Sequence, residues 1–527
     1  MGKRMRDEVE KLHNLRKEIE KMGGGEAVKK QHEKNKLTAR ERINLLFEKG
    51  TFVEVGMQGN EEGTQELVPA DGVITGYGRI NDGNMLREAS VAAYDFTVRG
   101  GSMGVINEAK VTRVRELALK HRIPMIWLVD SGGARLGKGG FGVERIPYFA
   151  DTGYLFKEEA LMSGVIPLIA AMMGPGYAGT AYIPGLSDFV PMVKGKCAMG
   201  LGGPSLVKMV IGEDLTDDQL GGSRVHCEMS GCGDLELNSD EACIEAIKLY
   251  LSFFPQNCDH KPMRAKFAGD PAALIDDSIL DIIPDNPSQI FDMHELIKHI
   301  VDKRDDKPDY FELKPRWARN IIIAFARIGG YPVGIVANNP MFLGGIIDVD
   351  ASDKAARFIW LCDAFNIPLL FLSDVPGYMV GSRAEKAGII RHGAKMIHAV
   401  AEATVPKLTV IVRKSYGAGY YGMCGRAFDP DLLIAYPGAE IAVMGAEGMV
   451  SIVARKQLAV AEKPQELVEQ LAAQLRQHIS IDKTAALGLV DDVVDPRETR
   501  RALFYALERT RDKKIFRHPR KHGVYPV

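Results

Sequence analysis

Two short runs of small residues mark where backbone chemistry can occur. Gly174-Pro175-Gly176-Tyr177-Ala178-Gly179 and Ser415-Tyr416-Gly417-Ala418-Gly419 each follow an apolar stretch. Small side chains leave backbone N–H groups bare, and paired N–H donors are what hold an oxyanion. A second signature precedes each run. Asp130-Ser131-Gly132-Gly133-Ala134-Arg135 stands ahead of the first, and Asp374-Val375-Pro376-Gly377 ahead of the second. Asp130 and Asp374 are 244 positions apart, as are Pro124 and Pro368, while Gly179 and Gly419 are 240 apart. One device written twice implies two oxyanions, with Ala178-Gly179 and Ala418-Gly419 as candidate donors near helix N-termini.

Other chemistry is sparse. The sequence contains no G-x-S-x-G elbow, no H-E-x-x-H and no G-x-x-x-x-G-K-[ST]. Ser131 is a weak nucleophile candidate, because no His lies near it in sequence. Gly132-Gly133-Ala134-Arg135 and Gly139-Gly140 follow a strand end. Arg135 there suits either a phosphate or a structural salt bridge. His226, Cys227 and Cys232 are close enough for a metal site, but buried structural thiols are the better reading, and no metal is expected on this chain.

The elements that must position these loops follow the same duplication. Strands are expected at 73–80 and 91–95, a helix at 107–121 and a strand at 124–129. The second half repeats the order, with strands at 321–328 and 333–337, a helix at 351–365 and a strand at 368–372. Lys110 and Lys354 are again 244 apart, as are Gly100-Gly101 and Gly344-Gly345. So long a period means a duplicated domain rather than a solenoid. Residues 1–50 are charged and helix-patterned, broken by Gly23-Gly24-Gly25, with Thr38 a plausible N-cap. They read equally as a packed arm or a solvated helix. The expected division is 1–50, 51–265 and 266–527, with the central boundary in the polar, Pro-containing stretch 259–305. A helix is expected at 240–253 and another at 462–477. The tail from Arg511 to His522 is basic, and reads as a solvated run or as a partner for acidic groups or phosphates.

With 527 residues, 46% apolar and 26% charged, the composition is that of a globular enzyme. The formal charge of −2 gives no pull toward nucleic acid or anionic membrane. Seven cysteines without a C-x-x-C pair, and no signal peptide, point to a reducing compartment. No apolar run is long enough for a transmembrane helix.

These motifs resemble one family across nearly the whole chain. The DSGGAR run at 130–135, Gly174–Pro184, Lys354-Ala355-Ala356-Arg357-Phe358, the DVPG run at 374–377, the GIIRHGAK run at 388–395, Lys414–Gly419 and Lys521-His522-Gly523 are similar to the carboxyltransferase (beta) subunit of biotin-dependent acyl-CoA carboxylases. The resemblance implies an α/β chain of two tandem crotonase-like domains. It implies a homohexamer, with the first half of one subunit facing the second half of another. It implies a coenzyme A thioester on the first half, near Gly132, Gly133, Ala134 and Arg135. Carboxybiotin, carried on a separate biotin carboxylase/biotin carrier (alpha) subunit, belongs on the second. Ala178-Gly179 then holds the thioester enolate and Ala418-Gly419 the biotin ureido oxygen. The location implied is the bacterial cytoplasm or a mitochondrial-matrix-like compartment. Two departures mix subfamilies: Ala178-Gly179 stands where the propionyl-CoA type has Gly-Gly, and Tyr421 where that type often has Asp, a position that influences acyl choice. Rival readings are the carboxyltransferase subunit of a sodium-pumping acyl-CoA decarboxylase, a crotonase-like hydratase or isomerase, and a CoA-binding scaffold. A hydratase needs a Glu or Asp base beside one loop.

Overall fold

The computed structural model describes residues 3–61, 64–136, 140, 147, 153–284, 286 and 289–526. The chain divides into two compact units, Met1–His260 and Lys261–Val527. The division expected at 265/266 lies five residues beyond this point, and the arm is part of unit 1 rather than a body of its own.

In unit 1, β1 (Val53–Val55), β2 (Val73–Asn81) and β3 (Leu86–Tyr94) pair antiparallel. Parallel strands β4 (Met125–Ser131), β5 (Leu168–Tyr177), β6 (Pro191–Val193) and β8 (Leu235–Leu237) extend the sheet, and β7 (Ala198–Gly200) pairs with β5. Helices α1 (Lys3–Glu20), α2 (Gly25–Glu33), α3 (Ala39–Leu46), α4 (Val105–His121), α5 (Tyr154–Met162), α6 (Gly179–Leu186), α7 (Pro204–Ile211), α8 (Asp217–Gly221) and α9 (Asp240–Leu251) complete it. The parallel strands are apolar on both faces. Met125 to Val129 and Leu168 to Met173 are all buried, as parallel strands covered on both sides must be.

Unit 2 repeats the plan. A short hairpin, β9 (Lys303–Arg304) and β10 (Lys307–Pro308), precedes β11 (Tyr310–Leu313), β12 (Ile321–Ile328) and β13 (Tyr331–Asn338), which pair antiparallel. Parallel β14 (Leu369–Val375), β15 (Lys407–Tyr416), β16 (Leu432–Ala435) and β18 (Asp492–Val493) follow, with β17 (Glu440–Ala442) on β15. Its helices include α10 (Met293–Ile300), α11 (Val349–Ala364), α12 (Ser382–Lys386), α13 (Ile389–Glu402), α14 (Gly417–Gly422) and α15 (Ala446–Val453). Each unit is a mixed α/β sheet of the crotonase-like kind, so the duplication holds at the level of strand order.

Buried lysines explain one repeated residue. Lys110 Nζ donates to the carbonyls of Ala70 and Val73, at 2.6 and 2.5 Å. Lys354 Nζ donates to those of Lys314, Trp317, Ala318 and Ile321. Both ammonium groups satisfy carbonyls where the chain enters β2 or β12, since a buried charge must be hydrogen-bonded.

The arm docks through charge. Thr38 caps α3 in a capping box with Glu41. Lys36 and Arg42 reach buried Asp130 at 2.6 and 3.0 Å, and Arg42 also binds Asp240 at 2.7 Å. α1 lies largely in solvent, with Ile19 buried. The basic tail is held by its own unit: Lys513 pairs with Asp431 at 2.6 Å, and Arg517 with Glu402 at 3.0 Å.

Candidate active site

The two loops are delivered by adjacent parallel strands. In unit 1, Ser131 stands opposite Gly176 after a register shift in the β4–β5 ladder. The chain then leaves β4 through Gly132 and Gly133. Gly133 has φ 88°, and a Cβ there would sit 3.0 Å from the Tyr177 carbonyl oxygen, so only glycine lets the two strand ends lie side by side. Ala134 forms a parallel bridge with Met103: the Met103 N–H donates to Gly133 O at 2.8 Å and the Arg135 N–H to Met103 O at 2.9 Å. Ala134 itself is exposed.

Unit 2 repeats this construction. Val375 stands opposite Ser415, and Ile347 bridges Tyr378. The Ile347 N–H donates to Gly377 O and the Met379 N–H to Ile347 O. Tyr378 is wedged between helices that make room for it. A Cβ at Gly393 would meet its ring at 3.0 Å, and one at Gly422 its hydroxyl at 2.6 Å.

The strand ladders correct the register of the loops. Ser131 with Gly176 corresponds to Val375 with Ser415, and Met125 with Leu168 to Leu369 with Lys407. On the β5 and β15 side the offset is therefore 239, not the 240 that aligns Ala-Gly with Ala-Gly. Ala178 matches Gly417, and their φ values are 55° and 56°. Gly179 matches Ala418, and Thr180 matches Gly419. Two alanines in the same dipeptide are thus not equivalent: one occupies the left-handed corner and the other follows it.

This shift changes which groups are available. The Ala178 N–H is already used, donating to Gly200 O on β7 at 3.1 Å. Gly179 opens α6, and the first N–H groups of a helix have no partner inside it. In unit 1 the amides left over at the helix start are therefore those of Gly179 and Thr180, whereas that of Ala178 is bonded. A Cβ at Gly179 would make ordinary van der Waals contact with Phe156 at 3.8 Å and Met103 at 3.9 Å, so no clash demands glycine there. Gly419 is different. A Cβ there would meet Val375 at 2.8 Å and Gly377 Cα at 3.1 Å, so its lack of a side chain serves close packing.

The remaining sequence candidates fall into place. Arg135 is a brace rather than a free phosphate ligand. Its guanidinium pairs with Asp71 at 2.5 Å and donates to Ser102 Oγ, Ser102 O and Asp71 O. Ser131 is buried, and its Oγ accepts from the Gly133 N–H at 3.1 Å. Of the Gly139-Gly140 pair, Gly139 lies outside the described residues. Tyr421 is exposed on α14, three residues past Ala418. Both ring nitrogens of His226 have partners, Ser230 Oγ at 2.8 Å and Met199 O at 3.0 Å. Among the described residues no group of three His, Cys, Asp or Glu is arranged to hold a metal ion.

Two tyrosines escaped sequence reasoning. Tyr177 and Tyr416 each close a strand just before the loop, 239 apart, and their hydroxyls donate to Asp217 and Glu440. Burial, then the carboxylate beside each, pushes both phenols upward, so they stay protonated. The matching Pro167 and Pro406, also 239 apart, are the sequence signal that could have revealed the register.

Two crotonase-like halves, each ending a parallel strand pair in a bare backbone loop, define a duplicated α/β enzyme. Comparison with known proteins identifies the family. A family model described as the carboxyl transferase domain matches residues 30–525. The methylmalonyl-CoA carboxyltransferase 12S subunit of Propionibacterium freudenreichii subsp. shermanii is 41% identical over 528 residues, covering 99% of this chain and 98% of the relative. The methylmalonyl-CoA decarboxylase subunit alpha of Veillonella parvula is 40% identical over 532 residues, covering 99% of each chain. The propionyl-CoA carboxylase beta chain of Cereibacter sphaeroides is 41% identical over 531 residues, covering 99% of this chain and 100% of the relative. A transcarboxylase 12S crystal structure with methylmalonyl-coenzyme A and methylmalonic acid bound superimposes with a TM-score of 0.90, at 41% identity and 98% coverage of both chains. The chain belongs to the carboxyl transferase family, as a carboxyltransferase of the biotin-dependent acyl-CoA carboxylase type.

Proposed function

We propose that this chain transfers a carboxyl group from carboxybiotin to a short-chain acyl-CoA, as the beta subunit of an acyl-CoA carboxylase. The observation that carries the reading is the pair of bare backbone loops on equivalent strand ends of a duplicated fold. The Gly179 and Thr180 N–H groups hold the thioester oxygen as negative charge develops on it during α-proton loss. The Ala418 and Gly419 N–H groups receive the ureido oxygen of biotin, and the small residues of 417–419 suit a flat ligand approaching backbone. Biotin, carried on a partner alpha subunit, supplies the carboxyl group and, once decarboxylated, a base. The chain's contribution is then position and preorganised dipoles. This accounts for loops built without a general-base side chain.

Assembly follows from the same duplication. α7 follows β7, and α15 follows β17, at equivalent places in the two units. α7 exposes Leu206, Met209, Val210 and Ile211, and α15 exposes Ile452 and Val453. Apolar faces of this kind mark contact surfaces. We place them between subunits, with unit 1 of one chain against unit 2 of another in a homohexamer. The seven cysteines are free, which fits a reducing compartment such as the cytoplasm or mitochondrial matrix. No helix among the described residues is long and apolar enough to cross a membrane.

A second direction has support of its own, since the Veillonella parvula relative is named a decarboxylase subunit. The same loops serve carboxyl removal, because they stabilise one enolate whichever way the carboxyl group moves. The test is to combine the chain with its biotin-bearing partner, ATP and labelled bicarbonate. Label is expected in propionyl-, butyryl- or methylcrotonyl-CoA. Carboxyl loss from a malonyl-type thioester, without label incorporation into any acyl-CoA, would assign the decarboxylase instead.

A further inference from the structure

We propose that Tyr177 and Tyr416 are positioning residues for the two reacting loops, each tying its loop to the start of an apolar helix at the proposed subunit contact. This rests on the reading that Gly179 with Thr180, and Ala418 with Gly419, hold developing negative charge. Tyr177 is the last residue of β5 and Tyr416 the last of β15. The next residue in each unit is the left-handed corner, Ala178 at φ 55° or Gly417 at φ 56°. The direction in which the following amides point is set at the tyrosine and this corner.

Each tyrosine is gripped at its ring and at its hydroxyl. A Cβ at Gly200 or Gly203 would lie 3.6 Å from the Tyr177 ring, and one at Gly445 3.3 Å from the Tyr416 ring. Gly203 directly precedes α7, and Gly445 directly precedes α15. Strand register makes these two glycines equivalent. Tyr177 pairs with Gly200 and Tyr416 with Ala442, each three residues before the glycine. The Tyr177 hydroxyl donates to Asp217, the first residue of α8. The Tyr416 hydroxyl donates to Glu440, the first residue of β17. Glu440 also lies 3.6 Å from Arg476 of the helix Pro464–Ile479, and Arg476 pairs with Glu447 of α15.

The acceptors distinguish positioning from space filling. By strand register, Ala198 stands in unit 1 where Glu440 stands in unit 2. Unit 1 has no carboxylate at that place, yet its tyrosine hydroxyl reaches one brought by a different element. Two halves that anchor the same hydroxyl by different routes single out the anchor itself. Both tyrosines are only partly buried, so solvation alone requires a carboxylate at neither hydroxyl. The anchor matters because a misplacement of about 1 Å at a reacting group costs on the order of 10²-fold in rate.

The test is carboxyl transfer by the assembled protein with its biotin-bearing partner, ATP and labelled bicarbonate. Tyr177→Phe and Tyr416→Phe keep the ring and lose the hydroxyl. Each is expected to lower kcat about tenfold, with KM for acyl-CoA within about twofold of wild type. Oligomer mass and circular dichroism are expected to stay unchanged. Asp217→Ala, which removes the acceptor instead, is expected to match Tyr177→Phe, while Glu440→Gln, which keeps an acceptor oxygen, retains most activity. Action through the loop is read from paired variants. Tyr177→Phe is expected to cost nothing further in Gly179→Pro protein, but to multiply the loss in Ala418→Pro protein. Wild-type kcat in either Phe variant, loss of the oligomer, or multiplied losses in the Gly179→Pro background would overturn this inference alone. Absence of carboxyl transfer by the wild type in either direction would overturn the functional reading beneath it as well.

Discussion

Gly179 opens a helix, where proline's fixed φ is accommodated and its missing N–H breaks no helical bond. Gly179→Pro therefore removes one amide from the proposed thioester loop without breaking a helical hydrogen bond. Transfer is expected to fall by about 10²–10³, the effect of deleting one oxyanion donor, with an unchanged circular dichroism spectrum. Ala178→Pro is a poorer probe, because it breaks the bond to Gly200 and cannot adopt φ 55°. In unit 2 the matching probe is Ala418→Pro, since any side chain at Gly419 would strike Val375. Sequence alone exposed both loops but not which amides were free, because an Ala-Gly dipeptide looks the same whether Ala fills the corner or follows it. A different residue effect concerns Glu108, whose Oε1 is buried without a partner. Burial raises its pKa from 4.5 to about 6, against the opposing pull of Arg115. The folded carboxyl thus holds its proton more tightly than the unfolded one, so stability falls as pH rises from about 4.5 to 6. Glu108→Gln lacks that titration. Its stability relative to wild type is expected to rise across this window by up to about 2 kcal/mol, read from urea unfolding at each pH.

Among the elements, the arm resolves an asymmetry hidden in the duplication. Asp130 and Asp374 end equivalent strands, but their cations come from different places. Asp374 is held by Arg413 of β15, at 2.9 Å. The residue equivalent to Arg413 is Gly174, where a Cβ would lie 1.8 Å from Asp130 Oδ1 and 2.8 Å from Lys36 Nζ. Lys36 and Arg42 of the arm fill that space and supply the charge instead. Arg42→Met is accordingly expected to cost about 3–5 kcal/mol, because Asp130 and Asp240 lose a fully buried partner. Chemical unfolding followed by the fluorescence of buried Trp127 is the measurement, and a loss below about 1 kcal/mol would contradict it. Much of the secondary structure was legible, since buried parallel strands read as continuous apolar runs and α3 announces itself with Thr38. The expected strand at 321–328 coincides with β12, and the helix at 107–121 is α4 with two residues added. The docking of the arm was not legible. Its charged residues look the same whether solvated or buried, and their partners lie about 90 to 200 positions away.

At the scale of the whole molecule, the proposed function gives each chain one thioester loop and one biotin loop, with the working pair on different subunits. Two damaged chains then compensate for each other. In Gly179→Pro protein every site has a defective thioester loop, and in Ala418→Pro protein every site has a defective biotin loop. A mixed pair contains one site with both defects and one with none, as two-fold symmetry requires. The deciding measurement is carboxyl transfer by oligomers assembled from equal amounts of the two variants, with the biotin-bearing partner, ATP and labelled bicarbonate. Activity is expected to return to about a quarter of the wild-type level, the share of intact sites under random pairing. Activity no greater than the average of the two separate variants would contradict the account, because it would place both loops of a working site on one chain or leave one loop outside the reaction.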